Sequence, residues 1–219
     1  MKKINIAVDG TSGVGKSSVC DRIAETLQLT HLDTGAMYRC VALYLKEQNT
    51  DLEDLEAVEK AVNDIRIRFD NDIVFLNDKD VSKVIRTNEI SMMASKTSAL
   101  APVRKRLVGL QQEVTAEKGY IVDGRDICTV VLPDADVKIF MSATPEARAD
   151  RRYKEYISKG IEADYETILK DINQRDYQDS HRAISPLVKA EDAIEVDTSS
   201  LTIDEVVQTI LDIIHKKVD

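Results

Sequence analysis

Two hydropathic regimes divide the 219-residue chain. In most of it, a short β-branched apolar run gives way to apolar positions three and four apart, as expected where a buried parallel strand leads into a helix. Ile4, Ile6, Ala7 and Val8 form the first such run, and Val19, Ile23, Ala24 and Leu27 then predict a helix over 17–27. His31-Leu32-Asp33 predicts a second strand feeding a helix over 35–48, and Leu52, Leu55, Val58, Val62 and Ile65 form the stripe of a helix over 51–65. Between 66 and 85 the period falls to two, with Asp70-Asn71 and Asn77-Asp78 as turn signals, which predicts a small antiparallel ribbon. Helical spacing returns over 88–100 and 102–118, with Pro102 suited to a helix start and Gly119 closing the second helix. Residues 120–124, 137–141 and 193–197 read as further strands, Thr144-Pro145-Glu146 as an N-cap with proline in the first turn, and 203–216 as a last helix. Five short strands with intervening helices predict an α/β fold: a parallel five-stranded sheet with helices on both faces. The period-two segment, about 63–90, reads as a small β-rich insert that need not join that sheet.

The loop after the first strand changes this from a fold to a chemistry. Gly10, four residues, then Gly15-Lys16-Ser17 match G-x-x-x-x-G-K-[ST], between a strand and a helix as the motif requires. The fold class becomes a P-loop NTPase type, binding ATP or GTP. Gly10, Thr11, Ser12, Gly13, Val14, Gly15, Lys16, Ser17 and Ser18 are the expected nucleotide-phosphate residues. Curled backbone turns its N–H groups into one concavity, and the helix N-terminus adds partial positive charge. Lys16 is expected to reach the outer phosphates and Ser17 to offer its hydroxyl to Mg²⁺.

Composition narrows the setting. No apolar run approaches the roughly 20 residues that cross a bilayer, and Met1-Lys2-Lys3 leads straight into the loop strand, so a cleaved signal would remove the first element. A cytoplasmic monomer without membrane partners is the expectation. Cys20, Cys40 and Cys128 lack disulfide or zinc spacing and read as reduced thiols, Cys20 and Cys40 as small buried hydrophobes. A net charge of −9 argues against a nucleic-acid partner. The thirteen arginines are nonetheless grouped near the segments that surround a phosphate loop.

Strand ends carry the remaining candidates, since ligands of such sheets bind beyond the carboxyl ends of the strands. Asp33, Tyr38 and Arg39 open a helix, where Arg39 suits either a second phosphate or a solvated surface. In Asp123-Gly124-Arg125-Asp126, Asp123 suits water on Mg²⁺, Arg125 an acceptor phosphate and Asp126 a base amino group; a plain charged loop is the other reading. At least two of Arg148, Arg151 and Arg152 share a helix face, and Arg175, Asp179 and Arg182 lie on one stripe, which fits a polyanion opposite or salt bridges to the 39 acidic side chains. His31, His181 and His215 form no triad with a cysteine or serine and receive no catalytic role.

Four motifs in order, IAVDGTSGVGKSS, LDTGAMYR, DGRDICTVVLPDADVKIF and QRDYQDSHRAISPLVKAEDAIEVDT, make nearly the whole chain resemble bacterial cytidylate kinases. The resemblance implies a single P-loop kinase domain over 1–219 with a nucleoside-monophosphate-binding insert at about 63–90 and a short helical lid at about 148–162. It implies transfer of the ATP γ-phosphoryl group to CMP or dCMP, with Mg²⁺. Ser95, Arg104 and Asp126 would read cytosine; Asp33, with Thr34 beside it, and Asp179 would contact the sugar; Arg39, Arg125 and Arg182 would clamp the CMP phosphate, and Arg175 would span sugar and phosphate. Lys16, Asp123, Arg125 and the lid arginines Arg148, Arg151 and Arg152 would be catalytic, with Ser17 and, through water, Asp123 at the metal. Thr11 and Val14 stand where the family often has proline and alanine, and Cys128 where it usually has glycine. Two other readings are a related kinase with a different acceptor, such as another monophosphate or a small hydroxylated acid, and a nucleotide-dependent switch, though no N-K-x-D guanine motif is present.

Overall fold

A computed structural model describes residues 3–70 and 73–218. The start at Met1-Lys2 and the Asn71 half of the first ribbon turn lie outside the described residues. In chain order the elements are β1 (Asn5–Gly10), α1 (Lys16–Leu27), β2 (Thr30–Asp33), α2 (Thr34–Glu47), α3 (Leu55–Asn63), β3 (Ile67–Asp70), β4 (Ile73–Leu76), β5 (Lys79–Asp80), α4 (Asn88–Thr97) and α5 (Ala101–Thr115). They continue with β6 (Tyr120–Gly124), β7 (Val137–Ser142), α6 (Pro145–Ser158), α7 (Tyr165–His181), β8 (Ile194–Asp197) and α8 (Ile203–Val218). The chain forms two compact units, Met1–Leu32 with Thr115–Asp219, and Asp33–Val114.

The first unit carries a five-stranded sheet in the order β2-β6-β1-β7-β8. β1 pairs in parallel with β6 on one side and β7 on the other, as β7 does with β8. Asp9 lies opposite Gly124, and Gly10 opposite Met141. This register sets the close approach at the loop mouth: a Cβ on Gly10 would fall 2.1 Å from the Met141 carbonyl oxygen, so only glycine fits. The core joins Ile6, Val8, Ile121, Ile139 and Met141 of the strands to Val19, Cys20 and Ile23 of α1 and Val206, Ile210 and Ile214 of α8. Each such aliphatic, taken fully from water, contributes roughly 1.5–3 kcal/mol. α6 and α7 pack through a smaller cluster, Ala149, Ile168 and Ile172, with Tyr153 edge-on to Tyr165 at 6.2 Å.

The second unit is helical around a ribbon. β3, β4 and β5 form the antiparallel meander expected from the period of two, with Ile67 opposite Leu76 and Phe75 opposite Asp80. Val74 and Leu76 point inward while Ile73 is exposed. The helix expected over 51–65 is shorter, because two aspartates compete to start it. Asp51 closes a turn by accepting from Glu53 N at 3.0 Å, and Asp54 is the true cap, accepting from Glu56 N and Ala57 N at 3.1 and 3.0 Å. Leu55 of the expected apolar stripe is accordingly exposed. No helix of the described residues is long and apolar enough to cross a membrane.

Candidate active site

The loop Gly10 to Gly15 has the backbone that its glycines allow, with φ of 77° at Gly13 and 95° at Gly15. Behind it starts α1, whose first residue, Lys16, is buried and folds back over the loop. Its Nζ donates to the carbonyls of Gly10 and Thr11 at 2.8 and 2.9 Å. Burial and the neighbouring Arg125 bring the Lys16 ammonium down to about 7, against the partial support of Asp123, Asp9 and Asp179. The Thr11 hydroxyl oxygen is buried with no hydrogen-bond partner. Such a cation and hydroxyl, held only by their own loop, suit an incoming phosphate.

Ser17 Oγ donates to Asp123 Oδ2 at 3.2 Å. Asp123 Oδ1 lies 2.9 Å from His31 Nε2, and His31 Nδ1 lies 2.6 Å from Asp21 Oδ1. Burial opposes charge on this imidazole, but the two carboxylates outweigh it and raise it to about 9. The same contact, with Lys16 and Arg125, keeps Asp123 below the usual carboxylate range despite its burial. The serine bonds a carboxylate and not the imidazole, so no hydrolase triad exists here. The sequence reading assigned His31 no role; its partners are 10 and 92 positions away and share no periodicity with it.

A second buried carboxylate shapes the segment after β6. Asp9 accepts from Ile127 N and Cys128 N, both at 2.8 Å. These amides begin a π-helical turn, Ile127–Val131, which the sequence pattern did not announce. Cys128 is buried there outside the left-handed region, its thiol toward the Ala7 and Ile139 carbonyls at 3.6 and 3.7 Å. Its backbone does not require a glycine.

Cations and carboxylates then interleave beyond the strand ends. Arg125 Nε donates to Asp179 Oδ2 at 2.8 Å, which holds the buried Asp179 low and Arg125 high. Arg182 Nη2 lies 3.5 Å from Asp126 Oδ1, and its Nε donates to the Ser185 carbonyl at 2.6 Å. Arg175 is half-buried on the same helix, α7, as Asp179. Arg125, Asp126, Asp179 and Arg182 are thus gathered in one unit with the phosphate loop.

Arg148 is buried and tied to the phosphate loop. It sits one turn after the Thr144 N-cap of α6, where its Nη1 donates to the Ser12 carbonyl at 3.0 Å and its guanidinium clasps Asp176 of α7 with two bonds. Its Nε donates to the Ala143 carbonyl at 3.1 Å. Arg151 donates to Thr198 beyond β8, while Arg152 is half-buried with no ion pair among the described residues.

In the second unit, Asp33 caps α2 by accepting from Ala36 N at 2.8 Å and also accepts from Arg39 Nη2 at 3.0 Å. Gly35 leaves room for this clasp: a Cβ there would lie 2.9 Å from Arg39 Nη1 and 3.0 Å from Asp33 Oδ1. Arg39 Nε is buried with no hydrogen-bond partner. Arg104 is buried, donates to the Ser98 carbonyl at 3.3 Å and stands 5.7 Å from the Tyr38 ring centre. Thr34 is buried and Ser95 half-buried.

The family model described as Cytidylate kinase matches residues 6–216. The cytidylate kinase of Thermosipho melanesiensis is 47% identical over 212 residues, covering 97% of this chain and 97% of its own. That of Fusobacterium nucleatum subsp. nucleatum is 46% identical over 216 residues, covering 99% of each. Among solved structures, shikimate kinase from Bacteroides thetaiotaomicron aligns with a TM-score of 0.50 at 12% identity, over 97% of this chain and 98% of that one, a likeness of fold alone.

Proposed function

The chain belongs to the cytidylate kinase family, and from that premise we propose that it transfers the γ-phosphoryl group of ATP to CMP or dCMP, giving ADP and the diphosphate. The observation that carries this reading is the second cation cluster. Arg125 and Arg182, held by Asp179 and Asp126, lie in the same unit as the phosphate loop. A protein that only bound or hydrolysed ATP would have no use for it.

The acceptor phosphate is already ionised, so the reaction needs no strong base; it needs two polyanions in line with their repulsion cancelled. Lys16 exchanges its loop carbonyls for the outer phosphates of ATP, while the amides of Gly10 to Ser18 cradle them. Arg39, Arg125 and Arg182 clamp the acceptor phosphate and Arg175 reaches sugar and phosphate. Asp33, Thr34 and Asp179 position the sugar, and Ser95, Arg104 and Asp126 read the base. Arg151 and Arg152 serve the donor side, and Arg148 holds the loop from behind.

Ser17 and Asp123 fit Mg²⁺ because both present hard oxygen atoms at the start of α1. Among the described residues no three His, Cys, Asp or Glu side chains gather as a metal cage, and Mg²⁺ bound with ATP needs none, since phosphates and water complete its shell. Ser17 directly, and Asp123 through water, would hold the ion, which when bound neutralises charge on the phosphates.

We read the protein as a cytoplasmic monomer with nucleotides as its partners; light scattering at twice the chain mass would overturn the oligomeric part. The function is tested by ADP release from ATP and Mg²⁺ with CMP, dCMP, UMP, AMP, GMP or no acceptor. Fast turnover with CMP and dCMP alone is expected. Equal turnover without acceptor would refute the transfer, and a different favoured acceptor would refute the substrate.

A further inference from the structure

Asp123 is gripped from a side that the phosphate loop does not supply. One of its oxygens accepts from Ser17 of α1, and the other faces the imidazole of His31 on β2 at 2.9 Å. The far nitrogen of that ring is 2.6 Å from Asp21, again on α1. His31 is only 11% exposed, whereas Asp21 is 66% exposed. The ring thus has a carboxylate oxygen facing each of its nitrogens. Its plane is then fixed at two points, and so is the carboxylate that it bonds.

We propose that His31 is a positioning residue: anchored on Asp21, it fixes the Asp123 carboxylate so that Oδ2 stays toward Ser17 and the metal side of the loop. This rests on the reading that Ser17 and Asp123 serve Mg²⁺. A brace between α1 and β2 alone would require only the contact with Asp21. The second contact goes to the very carboxylate that also holds Ser17. Partners of this kind, one bond removed from a metal, set the orientation and basicity of the groups that touch it.

The test uses Mn²⁺ as a paramagnetic probe, titrated into the full chain with a non-hydrolysable ATP analogue and followed by electron paramagnetic resonance. His31→Gln keeps one donor but cannot bridge both carboxylates. About tenfold weaker Mn²⁺ binding is expected, at the low end of the range for such outer partners, with affinity for the metal-free analogue unchanged. Asp21→Asn, at an exposed position, is expected to weaken Mn²⁺ in the same direction by a smaller factor. Ser17→Ala reports on the metal reading itself. If Ser17→Ala loses Mn²⁺ while His31→Gln and Asp21→Asn bind it as wild type, the positioning role is overturned. If Ser17→Ala also binds as wild type, the metal reading falls and the positioning role with it. A loss of analogue affinity without metal in His31→Gln would mark a structural brace and equally overturn the proposal.

Discussion

Asp9 shows how a single residue can tie two parts of the site together at a cost in stability. It is fully buried at the end of β1 and accepts from the amides of Ile127 and Cys128. Burial outweighs those bonds and lifts its carboxyl to about 6. A carboxyl raised in the folded state stabilises the fold fully below its unfolded value, and that contribution is lost as pH rises through about 6. Asn at this position cannot titrate. Between pH 7.5 and 4.5 the wild type should therefore gain about 2 kcal/mol on Asp9→Asn, read from urea midpoints of both proteins; a pH-independent difference would sink the assignment. Base recognition is likewise a residue-scale matter. Arg104→Ala should raise the KM for CMP more than tenfold, about the 1.4 kcal/mol of one polar contact, and leave the KM for ATP within about twofold in steady-state assays. Equal changes in both would remove Arg104 from the acceptor site.

At the scale of elements, α6 is a brace as much as a carrier of arginines. Arg148 links α6 to the phosphate loop through Ser12 and to α7 through Asp176. Removing one partner of a buried pair leaves the other charge unpaired, typically at 3–5 kcal/mol. Asp176 keeps some access to solvent, so Arg148→Met should lose about 3 kcal/mol in denaturant titration, whereas Arg152→Met should lose less than about 0.5 kcal/mol. Similar losses would mean that Arg148 does not bear on the loop. Periodicity could put Arg148 and Arg152 on one face of one helix. It could not say that the first position is buried against the loop while the second is only half-buried, because that depends on where β7 delivers the helix start. The same limit applies to α3, where Asp51 and Asp54 are equally good caps on paper and only packing selects the second. The strands were more legible. Buried parallel strands are near-continuous apolar runs, and β1 and β6 are marked as such by composition, while β7 carries Lys138 within an otherwise apolar run.

The whole molecule divides its candidate residues in a way that no linear motif displays. Gly10 to Ser18 lie in one compact unit, together with Arg125, Asp126, Arg175, Asp179 and Arg182; Asp33, Thr34, Arg39, Ser95 and Arg104 fall in the unit Asp33–Val114. The ribbon was legible as a change of period at about 63–90, but the unit around it is wider, because α2 and α4 bury their apolar faces within it. Contacts formed across tens of residues leave no local signature, which also hid the bond of His31 to Asp123 and those of Asp9 to Ile127 and Cys128. The division makes the two substrates separable by hydrogen exchange. A non-hydrolysable ATP analogue should slow exchange over Gly10 to Ser18 and leave α4 unchanged. CMP should slow exchange both in α4, which carries Ser95, and in the Asp123 to Ile127 segment, because its proposed contacts are drawn from both units. The amides of α8, remote in sequence from every candidate residue and anchored by Val206, Ile210 and Ile214, serve as the internal reference. Protection by CMP confined to one unit would break the acceptor assignment in two and leave whichever half was silent, Ser95 and Arg104 or Arg125 and Asp126, without a role in binding.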